Sequence, residues 1–369
     1  MRAFLKFATW PALAGLLAAL LILEHWVWPG SAPQPPPAGQ DSYRTAVAVA
    51  TPSVVNIYTA KRVATRRSRL LNNPFMPIPR GVPRQRVERS LGSGVIMRAD
   101  GFILTNNHVI DGADAIQVLL SDGRSAAAQV VGRDLATDLA ALQIDLDGLN
   151  AIELANSDAL SVGDVVLAIG NPLGFGHSVT QGIVSGLGRF GMNLGTYEGF
   201  IQTDAVIHPG NSGGALVDTR GALVGINSLI YTSSESTSSS GALGIGISLA
   251  IPSNLAEFVM DDLIRYGRVI RGWLGVEVEQ LPADAGSTGQ RLLVRGVAAG
   301  GPAERSGLRN GDVITHFDDA PINDVRITMY NVSLLRPGDR LGLTVERDGS
   351  VLELAAVIGT QPGEDGSPP

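Results

Sequence analysis

The sequence predicts a mostly β chain of more than one domain, carried behind an N-terminal apolar helix. Forty-five glycines among short apolar runs suit an all-β core, and 369 residues suggest two or more domains. The apolar pattern turns helical only after Pro252, which marks where a first domain closes. The low charged fraction argues against general disorder, and a net charge of -7 gives no reason to expect nucleic acid as a partner. With no cysteine, disulfides, thiol catalysis and thiolate zinc sites are excluded; no metal or cofactor is expected.

Arg2 and Lys6 precede an apolar run from Phe7 to Leu23, followed by Trp26 and Trp28, the flanks of a membrane span with its N-terminus in the cytoplasm. The alternative is a cleaved signal peptide. His25-Trp26-Val27-Trp28-Pro29 is too bulky for a cleavage site, and Gly30-Ser31-Ala32 is a weaker candidate spoiled by Pro33. Residues 1–28 are therefore read as an anchor and 29–40 as an extended proline-rich linker. The stretch 61–89 holds nine Lys or Arg against one acid, Glu88, with Phe75 in its middle. It reads as a solvated loop or as a segment drawn to anionic headgroups.

Gly92 to Met97 and Gly101 to Thr105 read as short strands joined by a turn, which leaves His108 just past a strand end. Ser233 to Ser240 cannot build a core and reads as a loop. Leu255, Phe258, Val259, Asp262 and Leu263 follow helical spacing, with Asn254 and Glu257 as a capping box and Gly267 as the stop.

The chemistry gathers at Gly210-Asn211-Ser212-Gly213-Gly214. A serine hydroxyl is a poor nucleophile unless a base lies within hydrogen-bond reach and a third group orients that base. His108 is the candidate base. Asp134 and Asp138 are both candidate orienting acids, with Asp138, directly before an apolar strand, preferred. Gly210 allows the turn that aims backbone N–H groups of Gly210, Asn211 and Ser212 toward an oxyanion, while Gly213 leaves room for substrate. Taken alone, this segment could equally be an ordinary glycine turn.

The segments GSGVIM, DGFILTNNHVIDGA, DLATDLAALQI, AIGNPLG, VTQGIVSGLGR, IQTDAVIHPGNSGGAL and GINSLI, in this order, resemble the HtrA family of trypsin-like serine proteases. The resemblance implies a chymotrypsin-like protease domain over 41–268, a pair of six-stranded antiparallel barrels with His108, Asp138 and Ser212 as the triad in the cleft between them. Val206 matches the floor of the S1 pocket, which offers no charge to Lys or Arg, so cleavage after small aliphatic residues is expected.

From Arg271-Gly272-Trp273-Leu274-Gly275-Val276 through Gly301 to Asp339 the chain resembles a PDZ domain of the same family, over 269–360, with 361–369 as a disordered tail. Leu274, Gly275 and Val276 match the turn that receives a terminal carboxylate. Met329 and Val332, on a helix after Asp324, are candidates for the last side chain's pocket or for plain core.

One anchor, one protease domain and one PDZ domain resemble the DegS/AlgW type within that family. This implies a homotrimer on the periplasmic face of the inner membrane, triggered by C-terminal hydrophobic peptides of misfolded outer-membrane proteins and cleaving a membrane-bound anti-sigma factor. Arg189 matches a relay position and Asp318 a latch partner in the PDZ domain. His208, before Pro209, stands where relatives often have asparagine. The alternatives are a broad quality-control protease or chaperone of the same fold and, outside enzymes, a catalytically silent PDZ tether.

Overall fold

The apolar runs ahead of Pro252 fold as two successive β systems. The first is a seven-stranded sheet of β1 (Val54–Ala64), β2 (Gln85–Ile96), β3 (Phe102–Asn106), β4 (Ala115–Leu119), β5 (Ser125–Ala127), β6 (Gln129–Asp134) and β7 (Leu139–Gln143). Its order is β5-β4-β1-β2-β3-β7-β6. A short helix, α1 (Arg44–Ala50), precedes it, and one helical turn, α2 (Asn107–Ile110), follows β3. The second system is a closed barrel in the order β10-β13-β12-β11-β8-β9. Its strands are β8 (Val165–Gly170), β9 (Ser178–Arg189), β10 (Phe200–Thr203), β11 (Ala215–Val217), β12 (Leu223–Ile230) and β13 (Ser248–Pro252).

The structure is a computed structural model that describes residues 42–64, 85–171, 176–191, 197–208, 210–230, 248–281 and 290–361. The expected anchor and linker, residues 65–84 of the basic stretch with Phe75, the serine run at 233–240 and the tail beyond 361 lie outside the described residues. The ends of the basic stretch, 61–64 and 85–89, are not loop but pair with each other as extensions of β1 and β2. Among the described residues no helix is long and apolar enough to cross a membrane.

The expected pair of six-stranded barrels is thus met in the second half only. The first half is a seven-stranded sheet with β5 and β6 at its two ends. A single residue, Ala128, connects them, and its N–H donates to the Ile116 carbonyl, so the chain runs on instead of turning back into a hairpin, which needs at least two connecting residues. Each half has its own core. Val55, Ile57, Ile96, Ile103 and Leu142 are fully buried in the first; Val166, Val184, Leu216 and Ala250 are in the second. Each such Val, Leu or Ile side chain contributes about 1.5–3 kcal/mol by leaving water.

The predicted helix is α3 (Ser253–Tyr266), which buries Leu255, Val259, Met260 and Leu263 and stops at Gly267, in the left-handed region at φ 69°. Its capping box does not form. The Asn254 carboxamide bridges to the neighbouring segment, accepting from the Ser157 N–H at 3.2 Å and donating to Asn156 Oδ1 at 2.7 Å. A cap residue must itself lie outside the helix, and here the helix begins one residue earlier, at Ser253.

The second domain has α4 (Pro302–Arg305), α5 (Val325–Leu334) and the strands β14 (Gly272–Trp273), β15 (Val276–Leu281), β16 (Arg291–Val297), β17 (Val313–Phe317), β18 (Ala320–Pro321), β19 (Arg340–Arg347), β20 (Ser350–Val357) and β21 (Gly359–Thr360). β14 pairs with β21, joining the two ends of the domain. The main sheet runs β15-β16-β17-β19-β20 with β18 on β17, which leaves β15 at an edge. Asp324 caps α5 by accepting from the Arg326 N–H.

Arg336 and Arg271 tie this domain to the first. Arg336 donates to the buried Asp262 carboxylate of α3 at 2.6 Å and lies 4.0 Å over the Phe258 ring. Arg271 reaches the Asp134 carboxylate and lies 4.4 Å over the Tyr197 ring.

Candidate active site

Strands β3 and β7 pair antiparallel with Asn106 opposite Leu139, so the residues just beyond, His108 on α2 and Asp138 before β7, are delivered to the same place. Asp138 is one of three described non-glycine residues at positive φ, 57°. An aspartate tolerates this region better than most side chains. The conformation lets both carboxylate oxygens serve His108: Oδ1 accepts from its backbone N–H at 2.9 Å and Oδ2 faces ring Nδ1 at 2.6 Å. The Asp138 carbonyl accepts from the Asn107 N–H at 2.9 Å and the Asn106 carboxamide at 3.1 Å. A carboxylate only accepts, so Nδ1 carries the ring proton and Nε2 is free to take another.

Asp134, the other candidate, does not orient the histidine. It is buried, accepting from the Thr137 hydroxyl and from Arg271. It braces the turn that carries Asp138 and ties it to the start of the second domain.

Ser212 sits on the turn before β11. Its hydroxyl donates to the Ser228 carbonyl at 2.7 Å rather than to His108. The turn is pinned at alternate peptides. The 210–211 peptide gives its carbonyl to the Ser93 hydroxyl at 2.7 Å and its N–H to the His208 carbonyl at 2.9 Å. The 212–213 peptide gives its carbonyl to the Ser93 N–H at 2.9 Å and its N–H to the Asn227 carbonyl at 2.8 Å. Among the described residues, the N–H groups of the turn not engaged within it are those of Gly210, at φ 98°, and Ser212, which leaves them for a substrate oxygen. Asn211 therefore drops out as an oxyanion donor, because its N–H is bound within the turn; its side chain is fully buried. His208 enters through its carbonyl.

Gly213 has a different role from the one expected. A Cβ there would lie 2.2 Å from the Ser93 carbonyl and 2.3 Å from the Thr105 hydroxyl, so the glycine lets two backbones meet rather than opening space above the serine. Val206 is 47% exposed, with its carbonyl accepting from the Thr180 hydroxyl at 2.7 Å.

The open edge of β15 and helix α5 border a cavity of about 460 Å3 that Leu274, Gly275, Val276, Met329 and Val332 all line. Gly275 turns at φ 80°, as a tight turn between β14 and β15 requires. Leu274 and Val332 also belong to the domain's buried core and show the cavity only their edges, whereas Met329 is half-buried. The first domain supplies part of the wall, through Phe190, Tyr197 and Glu198.

The expected Arg189–Asp318 pair is not made. Arg189 folds back over Gly186, where no side chain blocks it, and donates to Gln202 at 2.8 Å. Asp318 accepts from the Gly342 N–H at 2.8 Å within its own sheet. The contact between these regions is aromatic: Phe190 and Tyr330 meet edge to face at 5.6 Å, and Arg326 reaches the Phe190 carbonyl. Burial pushes the Tyr330 hydroxyl up to about 12, so it stays neutral.

Sequence reasoning missed Ser93, Arg271 and Tyr330. Of these only Ser93 had a local signal, a hydroxyl between two glycines inside an apolar strand.

Residues 92–226 match the trypsin-like peptidase domain family and residues 272–358 the PDZ domain family. The chain is 42% identical over 327 residues to the serine endoprotease DegS of Escherichia coli strain K12, covering 87% of this chain and 86% of that protein. It is 41% identical over 349 residues to a probable periplasmic serine endoprotease, DegP-like, of Pseudomonas fulva, covering 87% and 71%. Among solved structures it is similar to the HtrA-type protease AlgW with a decapeptide, at 47% identity and TM-score 0.69 over 87% of this chain and 99% of that one. The serine endoprotease from Yersinia pestis is similar at 40% identity and TM-score 0.58, over 87% and 98%.

Proposed function

The chain belongs to the HtrA family of trypsin-like serine endoproteases that carry a PDZ domain, and we propose that it acts as a regulated periplasmic protease held at the inner membrane by residues 1–28. In this reading C-terminal hydrophobic peptides of misfolded outer-membrane proteins occupy the PDZ groove of a homotrimer, and the substrate is the periplasmic part of a membrane-bound anti-sigma factor. The observation that carries it is the groove itself: the cavity between β15 and α5 has walls from both domains, so an occupant touches Phe190 and Tyr197 of the protease domain directly.

The chemistry follows from the geometry. The Ser212 hydroxyl turns from the Ser228 carbonyl toward His108, gives its proton to Nε2 and attacks the scissile carbonyl carbon. The resulting oxyanion is received by the Gly210 and Ser212 N–H groups. Asp138 holds the imidazole in the right tautomer and steadies the imidazolium. His108 then passes the proton to the leaving amine as the C–N bond breaks, which leaves the acyl group as an ester on Ser212. A water, giving its proton to His108, attacks that ester, and the acid departs as Ser212 regains the proton. Val206 at the S1 site favours small aliphatic residues before the cut; in a peptide set varied only there, a strong preference for arginine would remove it from that role.

A broad quality-control protease is the second reading, supported by the DegP-like name of the Pseudomonas fulva relative. The match covers 71% of that protein and 86% of DegS. The test is digestion of casein and of an anti-sigma periplasmic fragment by the full chain in detergent, with and without a C-terminal hydrophobic peptide, with Ser212→Ala as control. Peptide-dependent cleavage of the fragment alone is expected. Peptide-independent digestion of both would establish the quality-control reading instead.

A further inference from the structure

We infer that Ser93, on the opposite side of the cleft from the nucleophile turn, is the positioning residue that shapes the oxyanion hole. Its side chain is fully buried on β2, within the first sheet, while the turn it holds belongs to the second barrel. Four hydrogen bonds converge on this one residue. Its Oγ donates to the Gly210 carbonyl and accepts from the Asn171 N–H at 3.0 Å; its N–H donates to the Ser212 carbonyl; its own carbonyl accepts from the Thr105 hydroxyl at 2.7 Å.

The effect on the turn is geometric. A peptide plane held at its carbonyl cannot rotate, and Ser93 holds the carbonyls of the 210–211 and 212–213 planes. The N–H ends of the same two planes are held by the His208 and Asn227 carbonyls. With these two planes fixed, the 211–212 plane between them carries the Ser212 N–H, and the Gly210 N–H adjoins the fixed 210–211 plane, so both donors of the hole are set by planes that Ser93 holds. The backbone N–H of Ser93 survives any substitution, whereas the hydroxyl bond to Gly210 depends on the side chain. Removing the hydroxyl leaves the 210–211 plane held at its N–H end alone and leaves both the Gly210 carbonyl and the Asn171 N–H without it. The donors of the hole remain, but they are no longer preorganised where charge develops. Ser93 is close-packed where it stands: a Cβ on Gly214 would lie 3.2 Å from the Ser93 Cβ, and one on Gly213 would lie 2.2 Å from its carbonyl oxygen.

The inference rests on Ser212 as nucleophile and on Gly210 and Ser212 as the oxyanion donors. The experiment compares Ser93→Ala with the unaltered full chain in the presence of a C-terminal hydrophobic peptide. Active sites are counted by complete labelling with a fluorophosphonate, so that unfolded molecules do not enter the rate. The expected result is a fall in kcat per active site of about 10- to 100-fold, short of the loss on deleting a donor outright, with KM nearly unchanged. Affinity for a peptide boronic acid, whose tetrahedral adduct occupies the hole, falls by the same factor as kcat/KM. Ser93→Cys keeps the volume and a weak donor and is expected in between; it carries the test if the alanine variant does not fold. An unchanged kcat per site, or unchanged boronic acid affinity beside a lowered rate, overturns the inference. Ser212→Ala separates the two levels: residual cleavage there removes the nucleophile assignment itself, whereas an inactive Ser212→Ala beside an unimpaired Ser93→Ala removes only the role of Ser93.

Discussion

On the base side of the cleft, His108 and Asp138 come from one sheet, meet through the register of β3 against β7, and already share two hydrogen bonds. On the nucleophile side, the Gly210 to Ser212 turn belongs to the closed barrel, is tied across the cleft by Ser93, and holds its hydroxyl on the Ser228 carbonyl. A strand register cannot shift by one residue without turning every side chain to the wrong face, so the base side has one arrangement. A serine χ1 rotation is softer. Any control over activity therefore acts on the nucleophile side, and the difference between the two sides shows where a regulator can find a second state.

The largest effect that can break this comparison comes from the reacting groups themselves. Ser212→Ala is expected to lower kcat/KM by about 10⁶-fold in a peptide cleavage assay, and His108→Ala by a similar factor, because the two act as one unit. Asp138→Asn follows, with a loss of about 10⁴-fold in kcat at unchanged fold, since the amide supports the wrong tautomer. If the base side is as fixed as its register indicates, that loss is the same with and without activating peptide. A loss that changed with peptide would show that the base side moves as well.

Smaller effects sharpen the boundary between the sides. The base side is not wholly self-contained, since Asp134, four residues before Asp138, is paired with Arg271 at the start of the PDZ domain, with both side chains about 90% buried. Arg271→Ala leaves that carboxylate buried and unpaired, which is expected to cost about 3–5 kcal/mol in denaturant unfolding. The rate per active site should change far less, because the two hydrogen bonds between Asp138 and His108 do not pass through Asp134.

The smallest effect concerns acid. In the PDZ domain, burial pushes the Asp312 carboxyl up, but the paired bonds from Arg347 and the Arg309 N–H outweigh it and hold the group below its ordinary value. A lowered folded value means that this stabilisation is present above the unfolded pKa of about 3.9 and disappears as pH falls through the folded value. Thermal unfolding from pH 5 to 2 is expected to show that loss, and Arg347→Gln to flatten it. An identical acid limb in the variant would remove the pair as its source.

Much of this was legible in the residues. The turn at Gly101, the strand before His108, the position of Asp138, the stop at Gly267 and the helix after Asp324 all rest on neighbours a few residues apart, and the structure has them where expected. The capping box at Asn254 misled because its carboxamide had a better partner 97 residues away in Ser157. The Arg189–Asp318 pair misled for a similar reason: an exposed ion pair contributes little, so each group settled on a closer polar partner. Nothing local marked Tyr330 as the contact for Phe190.

By itself, the sequence determined the mostly β class, the protease and PDZ domains and the candidates for the reacting residues, because glycine turns, apolar periodicity and motif order are local properties of the chain. Only the tertiary structure decided how those residues stand: Ser212 turned to Ser228, two peptide planes held by Ser93, Asp134 engaged by Arg271, and a groove walled by both domains. The physical reason is that a hydrogen bond depends on which backbones come within about 3 Å, and here the partners lie far apart along the chain.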